Sequence, residues 1–411
     1  MRSALEVVFW ACAALVVWTH VGYAVTLAAL SGAANLLRRR EQRRGRGGRS
    51  VEAGIPERAQ AGRQAGRQAE LAGRLPSLSL IIAAHDEEKV IAQTVQHALA
   101  LDYPHAQLQL IVACDGCTDA TAERARGAGA DLVLELPRAG KIRAQDLAVE
   151  RASGEIVAFC DANALWDAGA ARALAAAFAD PRVGYACGQV RFERPRGARS
   201  GANQEGVYWR YELAVRALES RLCSITAGNG AIYATRRDAY IVVDPIMGHD
   251  LSLPFNMVKR GLRAVYVPGA EASEKMVPSL MGEFARKRRM MSHTWPIVVR
   301  GGMLSPRGYP PAYAAMMFSH RLLRYCTPLL HVLALAANVA LVADRVTALY
   351  VCTLSLQAAL LLAALLAGVL GARPLLLARY YVLTTASPAA GLWDWMRHGT
   401  VAWWDAAEGT R

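Results

Sequence analysis

At 411 residues, 54% hydrophobic and formally +13 at neutral pH, the chain is too long for one small domain and too apolar for a protein that is only soluble. A large part of the charge excess sits in one short stretch, which argues against a basic and aromatic stripe for nucleic acid on a folded surface. Membrane spans are the first elements to look for.

Val7 to Leu30 is apolar except for Thr19, His20 and Thr26, and holds no acid, Lys or Arg. At a rise of about 1.5 Å per residue it is long enough to cross roughly 30 Å of hydrocarbon. It is too long, and too weakly basic at its start, for a cleaved signal peptide. Residues 1–36 therefore read as a retained anchor.

Between Arg38 and Arg74, eleven arginines stand against Glu41, Glu52, Glu57 and Glu70, in a Gly-, Ala- and Gln-rich stretch containing AGRQAGRQAE. Such a composition cannot bury a core, so residues 37–75 read as a flexible basic linker. Basic residues beside a span stay in the cytoplasm, which puts the following region there, with anionic membrane lipids as the partner of the charge.

From Leu78 to Val267, short β-branched runs alternate with Ala-rich segments of helical period. Strands are predicted at Leu78–Ala84, Leu108–Ala113, Asp131–Leu134 and Ile156–Phe159. Helices are predicted at Val90–Leu101, Thr121–Gly127, Ala144–Arg151 and Ala170–Phe178. The alternation predicts an α/β fold, a mainly parallel sheet flanked by helices, with transmembrane helices at both ends of the chain.

Ligands in such sheets bind beyond the carboxyl ends of the strands. Three of those ends are acidic: His85-Asp-Glu-Glu88, Asp115-Gly-Cys-Thr-Asp119 and Asp161-Ala-Asn163. Any one of them suits a turn or a helix cap. Together they suit a nucleoside diphosphate and its cation. The Asp161 carboxylate and the Asn163 amide carbonyl are oxygen ligands for Mg²⁺ or Mn²⁺. Asp115 can accept the imide hydrogen of a uracil, Glu87 can bond base or ribose hydroxyls, and Lys141 offers a point charge to phosphate oxygens. The eight cysteines, most of them in apolar runs such as those around Cys114, Cys160 and Cys187, read as reduced, buried small hydrophobes.

These motifs resemble, in order, those of the family 2 glycosyltransferases. IIAAHDEE is similar to the family's first-strand motif, CDGCTDAT to its DDGSTDGT, GKIRAQDLAV to its Gly-Lys helix start, and FCDANALW to its Asp-x-Asp region. The resemblance continues through DPRVGYACGQVRF, VYWRYELAVRALES and TAGNGAIYATRR to His249-Asp250, and covers roughly 78–300. It implies a single GT-A nucleotide-binding domain over residues 76–300. It also implies transfer of a sugar from a nucleotide-sugar donor, such as a UDP-sugar, to a glycan or lipid-linked acceptor of the cell envelope.

Position by position, the resemblance implies that Asp115 contacts the base, with Glu87 beside it, and that Asp161 is the first metal-site Asp, Asn163 replacing the second. It makes Asp250 the general base of an inverting transfer, although a carboxylate after Met247-Gly-His249 also suits the cap of a helix starting at Leu251. Gly228-Asn229-Gly230 resembles the acceptor-side loop, and a β-turn explains it as cheaply. Arg286, Lys287, Arg289 and Met290 occupy the Gln-Arg-x-Arg-Trp motif of processive synthases. Basic groups remain there for the diphosphate, but the aromatic platform is lost, which favours transfer of single sugars over chain polymerisation.

Two other classes fit less well. A nucleotidyltransferase places a Gly-rich basic loop where this chain has His85 to Glu88. A scaffold that lost catalysis would show damage at Asp115, Asp161 or Asp250, and all three are present.

Residues 301–411 return to the membrane. Cys326–Val342 and Ala348–Leu370 are apolar runs joined by Ala343-Asp344-Arg345, with Arg321 and Arg324 before and Arg373 and Arg379 after. A hairpin leaving and re-entering the cytoplasm satisfies the charge rule, and makes this a multi-pass plasma-membrane protein. A third stretch, Pro374 to Trp395, is rich in Tyr and Trp and suits an interfacial helix as well as a spanning one.

Overall fold

The computed structural model describes residues 1–47, 75–193, 202–275 and 280–403. Two N-terminal helices, α1 (Arg2–Val17) and α2 (Tyr23–Gly47), run on through a π turn at Trp18–Gly22. The helix continues well past the apolar run, because Leu, Arg, Glu and Gln are good helix formers. The predicted linker is thus helical up to Gly47, and its remainder, 48–74, lies outside the described residues.

The catalytic-type domain then alternates as predicted. β1 (Leu78–Ala84), α3 (Ile91–Leu99), β2 (Leu108–Asp115), α4 (Thr121–Gly127), β3 (Leu132–Leu136), α5 (Lys141–Val149), β4 (Ile156–Asp161), a short β5 (Leu165–Trp166) and α6 (Ala170–Ala177) follow in order. Next come β6 (Val183–Glu193), α7 (Ala202–Leu222), β7 (Ile232–Arg236), α8 (His249–Lys259), β8 (Arg263–Lys275) and α9 (Leu280–Val299). Helix α5 starts at Lys141 rather than Ala144, straight from Gly140, whose φ of +94° suits glycine.

One eight-stranded sheet has the order β3-β2-β1-β4-β7-β6-β8-β5. The half bearing β1 to β4 is parallel, as is the β6–β8 pair, while β7 runs antiparallel to β4 and β6, and β5 to β8. The continuous apolar strands of the parallel half follow from cover on both faces. Along β1, Leu80 and Ile82 pack with Ile91 and Val95 of α3 and Leu174 of α6, while Ile81 faces Ala144 and Ala148 of α5 with Ile111 and Phe159.

At the C-terminal side, α10 (Pro311–Met316) passes through a π turn into α11 (Leu323–Asp344), followed by α12 (Ala348–Leu370) and α13 (Arg373–His398). Among the described residues, three helices are long and apolar enough to cross a membrane: Arg2–Leu37, Pro311–Asp344 and Ala348–Leu370. The third predicted stretch is α13, and it lies along α9. Trp295 Nε1 donates to Pro388 O at 2.9 Å, Arg288 pairs with Asp394 at 2.6 Å, and a Cβ on Gly391 would stand 2.6 Å from Met291 Cβ.

Arg321 and Arg324, read from sequence as charges flanking a span, are internal ties. Arg321 Nε donates to Thr226 Oγ1 at 2.9 Å, and Arg324 pairs with Glu212 of α7. Topology is therefore carried less by these two than their position in the sequence suggests.

Candidate active site

The order β2-β1-β4 brings the three acidic strand ends side by side, with Ala84 in register with Cys114 and Ala83 with Asp161. Their loops lace together. Asp86 sits at φ +49°, a left-handed conformation that Asp tolerates, and its Oδ1 accepts Thr118 N–H at 2.7 Å. Asp119 Oδ1 accepts Thr121 N–H at 3.0 Å. Turn chemistry thus accounts for Asp86 and Asp119, while Glu87, Asp115 and Asp161 face a shared cavity of about 960 Å³.

Asp115 is buried and fixes the loop opposite. Its carboxylate accepts the backbone N–H of Ala139 at 2.6 Å and of Gly140 at 3.0 Å. A carboxylate has about four acceptor sites, so capacity for a base donor remains. Gly116 lies at φ +60°, and a Cβ there would stand 2.5 Å from Arg138 Cβ, so the D-G pair is needed for this approach.

Lys141, the first residue of α5, pairs with Asp161 and donates to Gly230 O at 3.3 Å. Enclosure works against its charge, but Asp161, Asp250 and Glu274 outweigh that and hold its pKa above the ordinary lysine value. One ammonium therefore links the strand-end acids to the far wall of the cavity.

That wall carries Asp250 on the first turn of α8. The helix begins at His249 with Gly248 as its cap and no side-chain cap bond, so Asp250 is not the N-cap. Its carboxylate lies back over Gly248, where a Cβ would stand 2.7 Å from Oδ1. Pro254 has no N–H for the carbonyl four residues before it, and the Asp250 carbonyl accepts Gly228 N–H at 2.6 Å instead. Gly228 in turn presses on Tyr185, whose Oη would be 2.0 Å from any Cβ. Asn229 Oδ1 accepts Ala231 N–H at 2.9 Å, so a side-chain-bonded Asx-type turn, rather than the expected β-turn, shapes the loop beside Asp250.

His249 is fully enclosed between two phenols. Its Nδ1 lies 2.8 Å from Tyr233 Oη and its Nε2 3.3 Å from Tyr240 Oη, and Tyr240 donates to Asp146 at 2.7 Å. Burial first, and the Lys141 charge second, push the imidazole down to about 3. Burial likewise pushes the Asp146 carboxyl up to about 6.

From α9, Arg286, Lys287, Arg289 and Met290 reach the same cavity. Glu283 organises them: Arg286 bonds it through Nε at 2.7 Å and Nη2 at 2.8 Å, and Lys287 lies at 3.3 Å. Lys287 also lies 4.8 Å from the Tyr380 ring centroid, over the ring. The aromatic surface that Met290 lacks is supplied to the cavity by Trp209 and Tyr380 from other elements. The absence of Trp at 290 is therefore a weaker argument against a sugar platform than the local motif implies.

All eleven residues picked from sequence, Glu87, Asp115, Lys141, Asp161, Asn163, Gly228, Asn229, Gly230, Asp250, Arg286 and Arg289, line this one cavity. Sequence reasoning missed Glu274, Glu283 and the His249 enclosure. It also read the cysteines as scattered hydrophobes and missed that Cys114 and Cys117 stand at C-x-x-C spacing about Asp115; both are free thiols.

The residues at the end of β4 fit a hard divalent cation. Asp161, Asn163 and Glu274 all line the cavity with oxygens, and Glu274 lies near enough to Asp161 that burial followed by the Asp161 charge pushes its carboxyl up to about 7. A second group, His85, Asp86 and Cys117, holds its ligand atoms within 4.8 Å of one another. There the Arg138 guanidinium lies against the His85 ring and puts positive charge at the site instead.

Residues 76–292 match the family described as "Glycosyltransferase like family 2". An N-acetylglucosaminyltransferase of a Rhizobium species is 25% identical over 231 residues, 52% of this chain and 51% of that protein. A beta-monoglucosyldiacylglycerol synthase of a Nostoc species is 35% identical over 104 residues, 24% of this chain and 22% of that protein. The chain thus spans about half the length, or less, of these curated relatives. The mannosyltransferase PcManGT from Pyrobaculum calidifontis, solved in complex with GDP-Man and Mn2+, shares the fold at a TM-score of 0.60 and 21% identity, over 91% of this chain and 98% of that one.

Proposed function

The chain belongs to glycosyltransferase family 2 through residues 76–292, and from that premise we propose that it is a membrane-held enzyme transferring one sugar from a nucleoside-diphosphate sugar to an acceptor hydroxyl with inversion. The observation that carries this reading is the convergence of the diphosphate-type residues and the Asp250 carboxylate on one cavity, with Lys141 between them.

In this reading Glu87 and Asp115 bind the nucleoside. Lys141 and the N-terminus of α5 face the diphosphate, where aligned backbone N–H groups favour negative charge. Asp161, Asn163 and Glu274 would hold Mg²⁺ or Mn²⁺, which offsets charge on the leaving diphosphate. Asp250 accepts the proton of the acceptor hydroxyl as its oxygen bonds to the anomeric carbon. The bond from that carbon to the diphosphate oxygen breaks on the opposite face. An α-linked donor therefore gives a β-linked product.

The acceptor side comprises the Gly228–Gly230 loop with Arg286 and Arg289. The name of one relative, a beta-monoglucosyldiacylglycerol synthase, supports a lipid acceptor, and that of another, an N-acetylglucosaminyltransferase, supports sugar transfer without naming an acceptor, so the acceptor is read as a glycan or lipid of the envelope. The division into anchor, linker, catalytic domain and C-terminal membrane region, with catalysis on the cytoplasmic side, rests on the three spans and the basic cluster after the first. Helix α13, bound along α9, is read as interfacial.

The test is a panel of UDP- and GDP-sugars given to the detergent-solubilised full chain, read as nucleoside diphosphate release with Mn²⁺, with Mg²⁺ and with chelator. Turnover of one donor that chelator stops is expected. No release from any donor with either metal would sink the reading.

A further inference from the structure

On α7, Arg216 is 6% exposed and lines the cavity, yet among the described residues neither Nε nor Nη1 has a hydrogen-bond partner. The acids one turn away on the same helix are both committed elsewhere. Glu212 pairs with Arg324 and lies 3.5 Å from His320. Glu219 accepts Tyr23 Oη–H at 2.6 Å and Thr226 N–H at 3.0 Å, and lies 2.7 Å from His320 Nδ1. What holds Arg216 is aromatic: its Cζ lies 5.9 Å from the ring centroids of both Trp209 and Tyr266. Rings orient a guanidinium but accept none of its N–H bonds, so a buried charge on the cavity wall keeps two nitrogens that no described residue satisfies.

The position of Arg216 says which ligand it faces. Tyr185 and Cys187 lie close enough to feel both Arg216 and Asp250, and Cys187 also neighbours the Asn229 backbone. Arg216 thus neighbours the residues that pack beneath the Gly228–Gly230 loop and Asp250. Its helix is also the one tied to the membrane spans, through Tyr23 of α2 and through His320 and Arg324 of the Pro311–Asp344 span.

We infer that Arg216 is the specificity residue of an acceptor subsite for an oxyanion, a phosphate or carboxylate group carried by an amphiphile that enters from the membrane side of the cavity. This rests on the transferase reading above for the word acceptor, and on the orphaned guanidinium alone for the binding of an anion. The planar fork of arginine matches two oxygens of such a group, and Trp209 and Tyr266 hold the fork in place.

The test measures binding of three probes to the solubilised full chain by intrinsic Trp fluorescence: dodecyl phosphate, dodecanoate and inorganic phosphate, with neutral dodecyl maltoside as the background detergent. Each is measured in the wild type, Arg216→Gln, Arg216→Lys and Asp250→Asn, with nucleoside diphosphate binding as the check that each variant is folded. An anionic amphiphile should bind the wild type, bind Asp250→Asn at least as tightly because a nearby negative charge is removed, bind Arg216→Gln about tenfold or more weakly, the loss expected of a charge-assisted pair, and be partly restored in Arg216→Lys. Preference between the two head groups names the oxyanion. Equal binding to wild type and Arg216→Gln, binding of inorganic phosphate as tight as the amphiphiles, or no anion binding at all would overturn the inference. Because Asp250→Asn separates turnover from binding, failure of the transferase reading would leave this result standing, and the reverse.

Discussion

The backbone N–H of Gly228 donates to the carbonyl of Asp250 at 2.6 Å, so the Gly228–Gly230 loop and the proposed base share a hydrogen bond. Pro254, four residues on, leaves that carbonyl without its helical donor. The helix break and the placement of the carboxylate are one feature. Pro254→Ala restores a competing N–H and is expected to lower kcat several-fold while leaving nucleoside diphosphate affinity unchanged. Equal kcat in the variant and the wild type would show that the bond does not position the base.

At Gly228 the constraint is steric. A Cβ would meet Tyr185 Oη at 2.0 Å, so Gly228→Ala should cost about 1–3 kcal/mol of stability by overpacking and lower turnover with it. Tyr185→Phe removes the obstructing oxygen. The ring carbons Cζ and Cε1 would still stand 2.7 and 2.9 Å from a Cβ, so the double variant should recover only part of the loss, a coupling that thermal unfolding and a double-mutant cycle would measure.

The His249 imidazole, held neutral by burial at a pKa of about 3 against an ordinary 6.5, gives the fold a pH dependence. Because the folded pKa is depressed, the unfolded chain binds the proton more readily. The contribution is fully present above pH 6.5 and is lost as pH falls from there toward 3, amounting to a few kcal/mol at about 1.4 kcal/mol per pH unit. Asp146, raised to about 6, acts oppositely and favours the fold below its unfolded value, losing that contribution as pH rises through 6. Tm measured from pH 7.5 to 4.5 should fall less steeply in His249→Gln than in the wild type.

Glu212 is buried in α7 and held ionised by a membrane-helix arginine. Burial raises its carboxyl, but Arg324 and His320 outweigh this and hold it well below the usual range. Arg324→Met strands that charge and should destabilise the tie between catalytic domain and span by about 3–5 kcal/mol. Adding Glu212→Gln should recover most of it. Limited proteolysis of the solubilised chain would report the opening, and an unchanged cleavage pattern in Arg324→Met would show that the pair carries little.

Much of the donor side was legible in the sequence because its signals are local. Strand β1 and helix α4 have the predicted bounds, and the acids after β1, β2 and β4 lie where strand ends must lie. The rest was less legible because it is made by distant pairings. Leu165, shortly after Asp161, pairs with Ser273 far along the chain, and that register brings Glu274 toward Asp161 without any motif. Arg216 reads as an ordinary helix-surface arginine until both neighbouring glutamates are seen to be paired elsewhere. Gly228 read as part of an acceptor-side loop or a β-turn and Pro254 carried no reading, and only the tertiary bond from Gly228 N–H to the Asp250 carbonyl gives the two a joint role. The basic run after the anchor, read as a linker by composition, is helical to Gly47 because arginine and glutamine favour helix as readily as solvent.

The central claim is that Asp250 takes the proton from the acceptor while the strand-end acids hold the donor. Its most direct test is Asp250→Asn in the solubilised full chain, with nucleoside diphosphate release and the anomeric configuration of the product followed by NMR. The account predicts a wild-type product inverted relative to the donor, and a fall in turnover of about 10²–10⁴-fold in the variant with donor affinity kept. A retained anomeric configuration, or a variant as fast as the wild type, would contradict it.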